Sequence, residues 1–431
     1  MLDAIGVESL DAIFRSEVPE EVRLDRPLDL PAGMSEQDVN DHLAALASRN
    51  TSCDDEISFL GAGMYDHYVP ALVDSIITRS EFLTPYTPYQ PEISQGGLQV
   101  MFEFQTAICE LTGLPVSNAS MYEGPSSVAS AGYLAKLETG RRKFVISRGV
   151  HPHSRETLRT YAAGFGCDVV ETPLDDGGAT DLDAFAAPVD DDTAAVFVQQ
   201  PNFLGTVEDL GALTEAGKRT GALTVCAADP LPLGILEPPG SFGIDICVGE
   251  GQSLGNRLDF GGPSFGFFAA RESHIRKMPG RIAGETVDVE GRRGFVLTLQ
   301  TREQHIRRER ATHNICTSQA LNALAGVIYV SWLGKRGVVE LAELMLRRAH
   351  YARETLGLEP INPGPIVREF AVHVPDLDAL FTRAREVGIN PGYRLGSDYP
   401  EYADGLLVAI TERRTKAQID QFAALLQRVA A

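Results

Sequence analysis

The sequence of 431 residues has little positive charge. Lys and Arg total 38 against 59 Asp and Glu, which gives a formal net charge of −21 at pH 7. Proteins that bind nucleic acid or an anionic membrane surface concentrate positive charge, so this balance argues against both partners. No run approaches the ~20 apolar residues of a membrane-spanning helix, and the first residues lack the basic and apolar regions of a signal peptide. We therefore expect a cytoplasmic protein.

Cysteines are also few, and they are scattered singly along the chain. There is no CxxC pair and no cysteine–histidine cluster at zinc spacing, so we expect reduced thiols and no metal site. The apolar fraction of 44% is enough for a sizeable core, and the length suggests roughly two to three domains. The six cysteines are Cys53, Cys109, Cys167, Cys226, Cys247 and Cys316.

Three regions differ in pattern. Residues 1–60 predict an N-terminal arm of short helices broken by RPLDLPAG. Residues 61–320 predict a large α/β domain, because strands and helices alternate there. Residues 321–431 predict connecting helices followed by a small C-terminal α+β domain. Helical patterns are expected from about 300 to 357, and the basic run TREQHIRRER (301–310) is interpreted as helical, with its arginines in structural ion pairs.

The large domain is predicted to contain a mostly parallel sheet. Short apolar runs predict its strands, and the amphipathic segment VEDLGALTEAGKRTG between two of them predicts the crossover helix that parallel strands require. The predicted strands are residues 143–147, 167–173, 193–200, 222–228, 244–249 and 264–271.

Ligands of open α/β sheets bind beyond the carboxyl ends of the strands, so the residues that follow each strand are the first site candidates. They are His151, His153, Pro201, Asn202, Asp229 and the segment from Glu250 to Asn256.

This order of elements suggests an aminotransferase-like pyridoxal phosphate enzyme of fold type I. Such a cofactor needs a carboxylate at its ring nitrogen, donors at a helix start for its phosphate, and a lysine for the Schiff base. Asp229 suits the ring nitrogen, and His151 could stack on the ring. Gly124, Ser126 and Ser127 could bind the phosphate, although an ordinary helix cap explains them too.

The Schiff-base lysine is missing. The segment DICVGEGQSLGNRLDFGGPSFG, where the lysine is expected, contains none, and neither glutamine nor serine can replace a primary amine. We therefore expect a relic cofactor pocket, which has lost its Schiff-base lysine. The six lysines of the chain are Lys136, Lys143, Lys218, Lys277, Lys335 and Lys416.

The sequence resembles the P-protein of the glycine cleavage system, glycine decarboxylase, in the subunit 1 or N-terminal-half type of its two-subunit form. The resemblance covers most of the chain from about 59 to 340. The matching segments are FLGAGMYDHYVPALVDSIITRSEFLTPYTPYQPEISQGGLQVMFEFQTAICELTG (59–113), YEGPSSVASA (122–131), QQPNFLGTVED (199–209), DICVGEGQSLG, FGGPSFGFFAAR and residues 301–337.

The resemblance implies an α2β2 assembly with a subunit 2 that carries pyridoxal phosphate on the lysine of a His-Lys-Thr-Phe segment. Against that segment, Ser253 falls at the lysine and Gln252 at the histidine, so no cofactor is expected to bind covalently to this chain. The implied reaction is the decarboxylation of glycine, with transfer of the aminomethyl group to the lipoyl arm of H-protein.

A cofactor-free subunit can still supply residues to its partner's active site. The segment YTPYQPEISQGG (86–97) is the best candidate, because it is stiffened by prolines before a helix. Tyr86, Tyr89, Gln90 and Glu92 are therefore predicted to contribute to that site, with ordinary interface packing as the alternative.

Two other functions stay open. One is an enzyme that acts alone with an unusual lysine, of which Lys277 is the only candidate shortly beyond the DICVG strand. The other is a non-enzymatic scaffold or regulatory homologue.

Overall fold

The structure is a computed structural model that describes residues 1–24, 26–311, 315 and 318–430. Two compact units are present, Met1–Ser52 and Cys53–Ala431. The helices are α1 (Leu2–Ile5), α2 (Leu10–Glu17), α3 (Glu36–Ala47), α4 (Ala71–Ile77), α5 (Ser80–Leu83), α6 (Gln95–Thr112), α7 (Gly124–Thr139), α8 (Pro152–Phe165), α9 (Leu182–Ala186), α10 (Leu210–Lys218), α11 (Ala320–Leu356), α12 (Leu377–Glu386) and α13 (Lys416–Ala430).

The strands belong to four sheets, of which the largest has seven strands. They are β1 (Ile57–Ser58), β2 (Val116–Ser117), β3 (Lys143–Ser147), β4 (Asp168–Thr172), β5 (Thr193–Gln200), β6 (Leu223–Ala228), β7 (Ile246–Glu250), β8 (Gly266–Ala270), β9 (Ile282–Val287), β10 (Arg293–Thr298), β11 (Glu369–His373), β12 (Ile389–Asn390), β13 (Tyr393–Arg394) and β14 (Gly405–Ala409).

The first unit consists of α1, α2 and α3, none of which contains a buried residue. Serine side chains cap the two longer helices. Ser9 accepts a hydrogen bond from the Ala12 N–H at 3.1 Å, and Ser35 accepts one from the Asp38 N–H at 3.2 Å. These caps satisfy amide groups that have no partner within the helix. The short helices predicted for this region are confirmed.

The seven-stranded sheet has the order β2-β8-β7-β6-β5-β3-β4. Strands β3 to β7 run parallel, whereas β8 pairs antiparallel with β7, and β2 pairs antiparallel with β8. Helix α10 connects β5 to β6, as predicted for parallel neighbours. The mostly parallel α/β sheet predicted from the sequence is confirmed, and its strands lie within a few residues of their predicted bounds.

Apolar side chains cover both faces of this sheet. Because neighbouring residues of a strand point to opposite faces, Phe144 and Ile146 pack on one side, while Val145 packs on the other. Cys226 and Cys247 are register partners in β6 and β7, and both are fully buried as free thiols. Continuous apolar strands of this kind are typical of a sheet that is covered by helices on both faces.

The C-terminal part contains the antiparallel sheet β11-β14-β13, with α12 and α13 packed on it. The short strand β1 pairs in parallel with β12, and Phe59 stacks on Phe422 of α13 with 4.6 Å between ring centroids. The segment just after residue 52 thus packs on the C-terminal elements. The division at residues 60/61 and 320/321 stays a prediction.

The basic run 301–310 is not the α-helix that its spacing predicts. It contains two separate 3-10 turns, Gln300–Arg302 and Arg308–Arg310. The buried guanidinium of Arg302 donates hydrogen bonds to the backbone carbonyls of Met278 and Gly280, so these contacts override the local helical pattern. Helix α11 begins only at residue 320 and is interrupted at Gly334, whose φ is +61°.

The antiparallel hairpin of β9 and β10 was not predicted from the sequence. In the part of the chain that the structure describes, no helix combines the length and the apolarity needed to cross a bilayer. The predicted reduced Cys316 lies outside the described residues, and the other five cysteines are free.

Candidate functional site

A cavity of about 520 Å³ opens at the carboxyl ends of β3, β5, β6 and β7. This is the edge of the sheet where ligands of open α/β folds bind. Loops after the strands, the start of α7 and the segment before β11 all contribute to it. Residues that carry polar groups into the lining include Tyr65, Glu123, His151, His153, Asp229, Glu250, Ser253 and Arg368.

The start of α7 faces this cavity, and its hydrogen-bond donors already have partners within this chain. Glu123 is the cap residue, and its Oε1 accepts a hydrogen bond from the Ser126 N–H at 3.2 Å. The hydroxyls of Ser126 and Ser127 donate to the Glu123 carbonyl oxygen at 3.2 and 2.7 Å. The Gly124 N–H donates to Glu250 Oε2 at 2.9 Å. The groups predicted to bind a phosphate therefore have partners within this chain.

Glu250, the last residue of β7, is held by three hydrogen bonds. Its carboxyl accepts from the Gly124 N–H, from the Gln252 N–H at 3.0 Å, and from the Ser264 hydroxyl. Burial raises the pKa of Glu250 to about 7, because the low-dielectric surroundings disfavour the charged form and the hydrogen bonds offset this only in part. The sequence marked this residue as one that follows a strand, but assigned it no role.

Gln252 and Ser253, the two positions predicted from the resemblance, differ in role. The Gln252 side chain exchanges hydrogen bonds with the Tyr65 backbone at 2.9 and 3.0 Å, and also donates to the Asn256 carbonyl at 2.9 Å. It thus fastens the loop that precedes α4. Ser253 lines the cavity, is only 3% exposed, and its hydroxyl makes no hydrogen bond within the described residues.

His151 lies at one wall of the cavity as a neutral ring. Its Nε2–H donates to the Ala62 carbonyl at 2.9 Å, and its Nδ1 accepts from the His153 N–H at 3.1 Å, so both nitrogens are satisfied in one tautomer. Burial lowers the pKa of His151 to about 4. Gly63 has φ +98°, and a Cβ there would lie 2.7 Å from His151 Nε2, so this close approach requires glycine.

Asp229 follows β6 and forms an ion pair with Arg368. The Arg368 guanidinium also donates to His67 Nε2 at 2.5 Å and lies over the Tyr65 ring at 3.3 Å from its centroid. The Tyr65 hydroxyl in turn donates to Glu369 at 2.7 Å. The carboxylate predicted for a ring nitrogen is thus neutralised by a buried cation that no local motif indicated.

Tyr86, Tyr89, Gln90 and Glu92 do not line this cavity. They lie on an exposed segment before α6, and Tyr86 is 72% exposed. Tyr89 is anchored, because its hydroxyl accepts a hydrogen bond from Arg281 at 3.1 Å and its ring packs edge-on against His305. Their predicted contribution to a partner's active site stays a prediction.

No lysine is among the described residues that line the cavity. Lys277, the alternative Schiff-base residue, donates to the Leu137 carbonyl at 2.9 Å and to Glu138 at 2.8 Å at the end of α7. Across the described residues, no group of three or more histidine, cysteine or acidic side chains is placed to hold a metal ion.

Pyridoxal phosphate does not fit the residues of this cavity. A Schiff base needs a primary amine, and Ser253 stands at the position where the resemblance places it. The α7 donors are paired with Glu123 and Glu250, and Asp229 is paired with Arg368. The described residues therefore supply none of the three functions that the cofactor requires.

Comparisons with known proteins agree on one family. The family model described as "Glycine cleavage system P-protein" matches residues 1–426. A protein of Carboxydothermus hydrogenoformans named "Probable glycine dehydrogenase (decarboxylating) subunit 1" is 51% identical over 429 residues, which are 99% of this chain and 96% of the relative. A relative of the same name from Geobacillus thermodenitrificans is 51% identical over 426 residues, 98% of this chain and 95% of the relative.

Solved structures give the same result. The crystal structure of glycine decarboxylase (P-protein) of the glycine cleavage system, in inhibitor-bound form, has a TM-score of 0.91 at 43% identity and covers 100% of this chain and 97% of that one. Glutamate decarboxylase of Lactobacillus brevis, with a TM-score of 0.71 at 15% identity over 96% of each chain, shares the fold alone. The fold is that of pyridoxal phosphate enzymes of fold type I. The chain belongs to the glycine cleavage system P-protein family.

Proposed function

We propose that this chain is subunit 1 of a heteromeric glycine dehydrogenase (decarboxylating). The pair decarboxylates glycine and passes the aminomethyl group to the lipoyl arm of H-protein, in an α2β2 assembly. Pyridoxal phosphate is carried by subunit 2. The observation that supports this division is a family match over residues 1–426 in a chain whose cavity has no lysine among its described lining residues.

The segment 86–97 is the part of this chain that we propose for the partner's active site. Its side chains do not line the chain's own cavity. Tyr89 is fixed by Arg281, which is 5% exposed and pairs with Glu303. An exposed segment on a rigid support is suited to placing side chains in a neighbouring site. Tyr86 and Gln90 are the side chains expected to reach furthest.

The proposal includes a cytoplasmic location. It is supported by the sequence, in which the cysteines are scattered singly and do not have the spacing of a disulfide framework.

The test is glycine–bicarbonate exchange with H-protein, measured for this chain alone, for subunit 2 alone and for the mixture, together with the absorbance of bound pyridoxal phosphate. We expect exchange only in the mixture and the chromophore only with subunit 2. Exchange or bound chromophore in this chain alone would instead support an enzyme that acts alone, with Lys277 as its candidate Schiff-base lysine. Assembly without any exchange in the mixture would favour the scaffold.

The contribution of the segment is tested with Tyr86→Ala and Gln90→Ala. We expect kcat of the mixed enzyme to fall by about tenfold or more, the effect of losing one transition-state hydrogen bond, while assembly is unchanged. Tyr161→Ala is the control, because Tyr161 is also partly exposed but lies on α8. Full activity of both segment variants would rule out their role in the shared site.

A further inference from the structure

The start of α7 is an anion-binding position whose donors are taken by two carboxylates of this chain. The first amides of a helix carry partial positive charge and bind phosphates readily. Here the Gly124 N–H donates to Glu250 and the Ser126 N–H donates to Glu123. A phosphate in this cavity would compete for the same donors.

The two carboxylates have little freedom to leave. Glu250 is also held by the Gln252 N–H and the Ser264 hydroxyl, and Glu123 is the helix cap. The helix start packs directly on the sheet. A Cβ on Gly124 would lie 3.0 Å from Glu250 Cβ, so α7 and β7 are in close contact where the Gly124 N–H meets the Glu250 carboxyl.

The charges that face the cavity add a second barrier to a phosphate. Glu123, Asp229 and Glu250 contribute three carboxyl groups to the lining. Among the described lining residues, Arg368 contributes one guanidinium group. Arg368 is already paired with Asp229. A phosphate monoester would therefore enter without a free cation among the described lining residues to neutralise it. The Glu123 carboxylate would repel it as a like charge, and the Glu250 carboxyl would still occupy the Gly124 N–H.

We propose that Glu123 and Glu250 make this cavity selective against phosphate-bearing ligands. They keep pyridoxal phosphate out of this chain independently of the missing lysine, while a ligand of the same ring structure without the phosphate is not excluded. This selectivity is a property of the chain's own cavity, and it holds whether or not the chain acts in glycine decarboxylation.

The experiment restores the amine first. Ser253→Lys places a lysine where the serine hydroxyl lines the cavity without a hydrogen bond among the described residues. Its nitrogen can bond to the aldehyde carbon of pyridoxal or of pyridoxal phosphate as water leaves. Borohydride reduction and peptide mass spectrometry then measure the adduct at residue 253, with the unmodified sequence as the background for the six natural lysines.

The second step removes the carboxylates. In the triple variant Ser253→Lys, Glu123→Ser and Glu250→Ala, serine keeps a good helix cap while both carboxyl groups are removed. We expect Ser253→Lys alone to bind pyridoxal at least as well as pyridoxal phosphate. The triple variant should prefer pyridoxal phosphate by about tenfold or more, because hydrogen bonds to a charged group contribute about that much.

A charge-matched control is Ser253→Lys with Glu103→Ala and Glu110→Ala, since both carboxylates lie exposed on α6. It should behave like Ser253→Lys alone. A tenfold preference of Ser253→Lys for pyridoxal phosphate would overturn the proposal, as would a triple variant without any gain in that preference.

Binding that needs no lysine provides an independent measurement if the lysine variant fails to fold. Equilibrium dialysis compares pyridoxine with pyridoxine 5′-phosphate for the natural sequence and for Glu123→Ser/Glu250→Ala. Only the variant should favour the phosphate form. An equal preference in both proteins would contradict the proposed role of the carboxylates.

Discussion

Arg368→Leu is expected to destabilise the folded chain strongly. The Arg368 side chain is 3% exposed, and it pairs with Asp229, whose side chain is 16% exposed. It also lies over the Tyr65 ring and donates to His67. Removing one partner of a buried ion pair costs about 3–5 kcal/mol, because the other charge remains buried without compensation. We expect the free energy of unfolding to fall by that amount.

Urea unfolding followed by circular dichroism measures this loss. The double variant Arg368→Leu/Asp229→Asn should recover about 1–3 kcal/mol of it, since no unpaired charge is left. Arg347→Leu is the control, because its pair with Glu343 is largely exposed and should contribute less than about 1 kcal/mol. A loss below about 1 kcal/mol for Arg368→Leu, or strictly additive losses in the double variant, would refute the argument.

Two further predictions concern groups at the cavity. Burial raises the pKa of Glu250 and of Glu369 from 4.5 to about 7, so the folded chain binds more protons than the unfolded one between these pH values, and stability should fall as pH rises through that window. From this difference in pKa, each carboxyl contributes on the order of 3 kcal/mol to the pH dependence of the free energy of unfolding. In urea unfolding from pH 5 to 8, this free energy should fall less for Glu369→Gln than for the natural sequence. An unchanged slope against pH would contradict the assignment. Gly63→Ala should cost more stability than Gly140→Ala by about 1 kcal/mol or more in thermal unfolding. Both glycines have positive φ, but only at residue 63 would the added Cβ meet His151. Equal losses of stability in the two variants would show that His151 can move aside without a measurable cost.

The strands could be predicted because their pattern is local. KFVIS and TAAVFVQQ coincide with β3 and β5, since continuous apolar runs between helices can only be buried strands or short buried helices, and their length favours strands. The run 301–310 could not be predicted in the same way. The Arg302 side chain satisfies carbonyls of a distant loop, and such tertiary contacts leave no periodic signal in the sequence.

The sequence predicted those site residues that come directly after a strand. Asp229, His151 and Ser253 all line the cavity, because the carboxyl ends of parallel strands meet at one edge of the sheet. Arg368 could not be found this way, since it precedes a strand of another sheet and reaches the cavity only in the folded chain. Glu250 stood among the candidates, but its hydrogen bond to α7 depends on how the helix packs.

The lining of the cavity is arranged so that its polar groups are satisfied by side chains of this chain, without a cofactor. Buried polar groups without partners cost about 1–3 kcal/mol each, so a pocket built for a phosphate and a ring nitrogen would weaken a chain that binds neither. In this chain Glu123 and Glu250 satisfy the helix donors, and Arg368 neutralises Asp229. The cavity is therefore part of the chain's folding stability. Substitutions in the lining should lower stability even in the isolated subunit, and substitutions around Tyr86 should be visible only in the activity of the assembled pair.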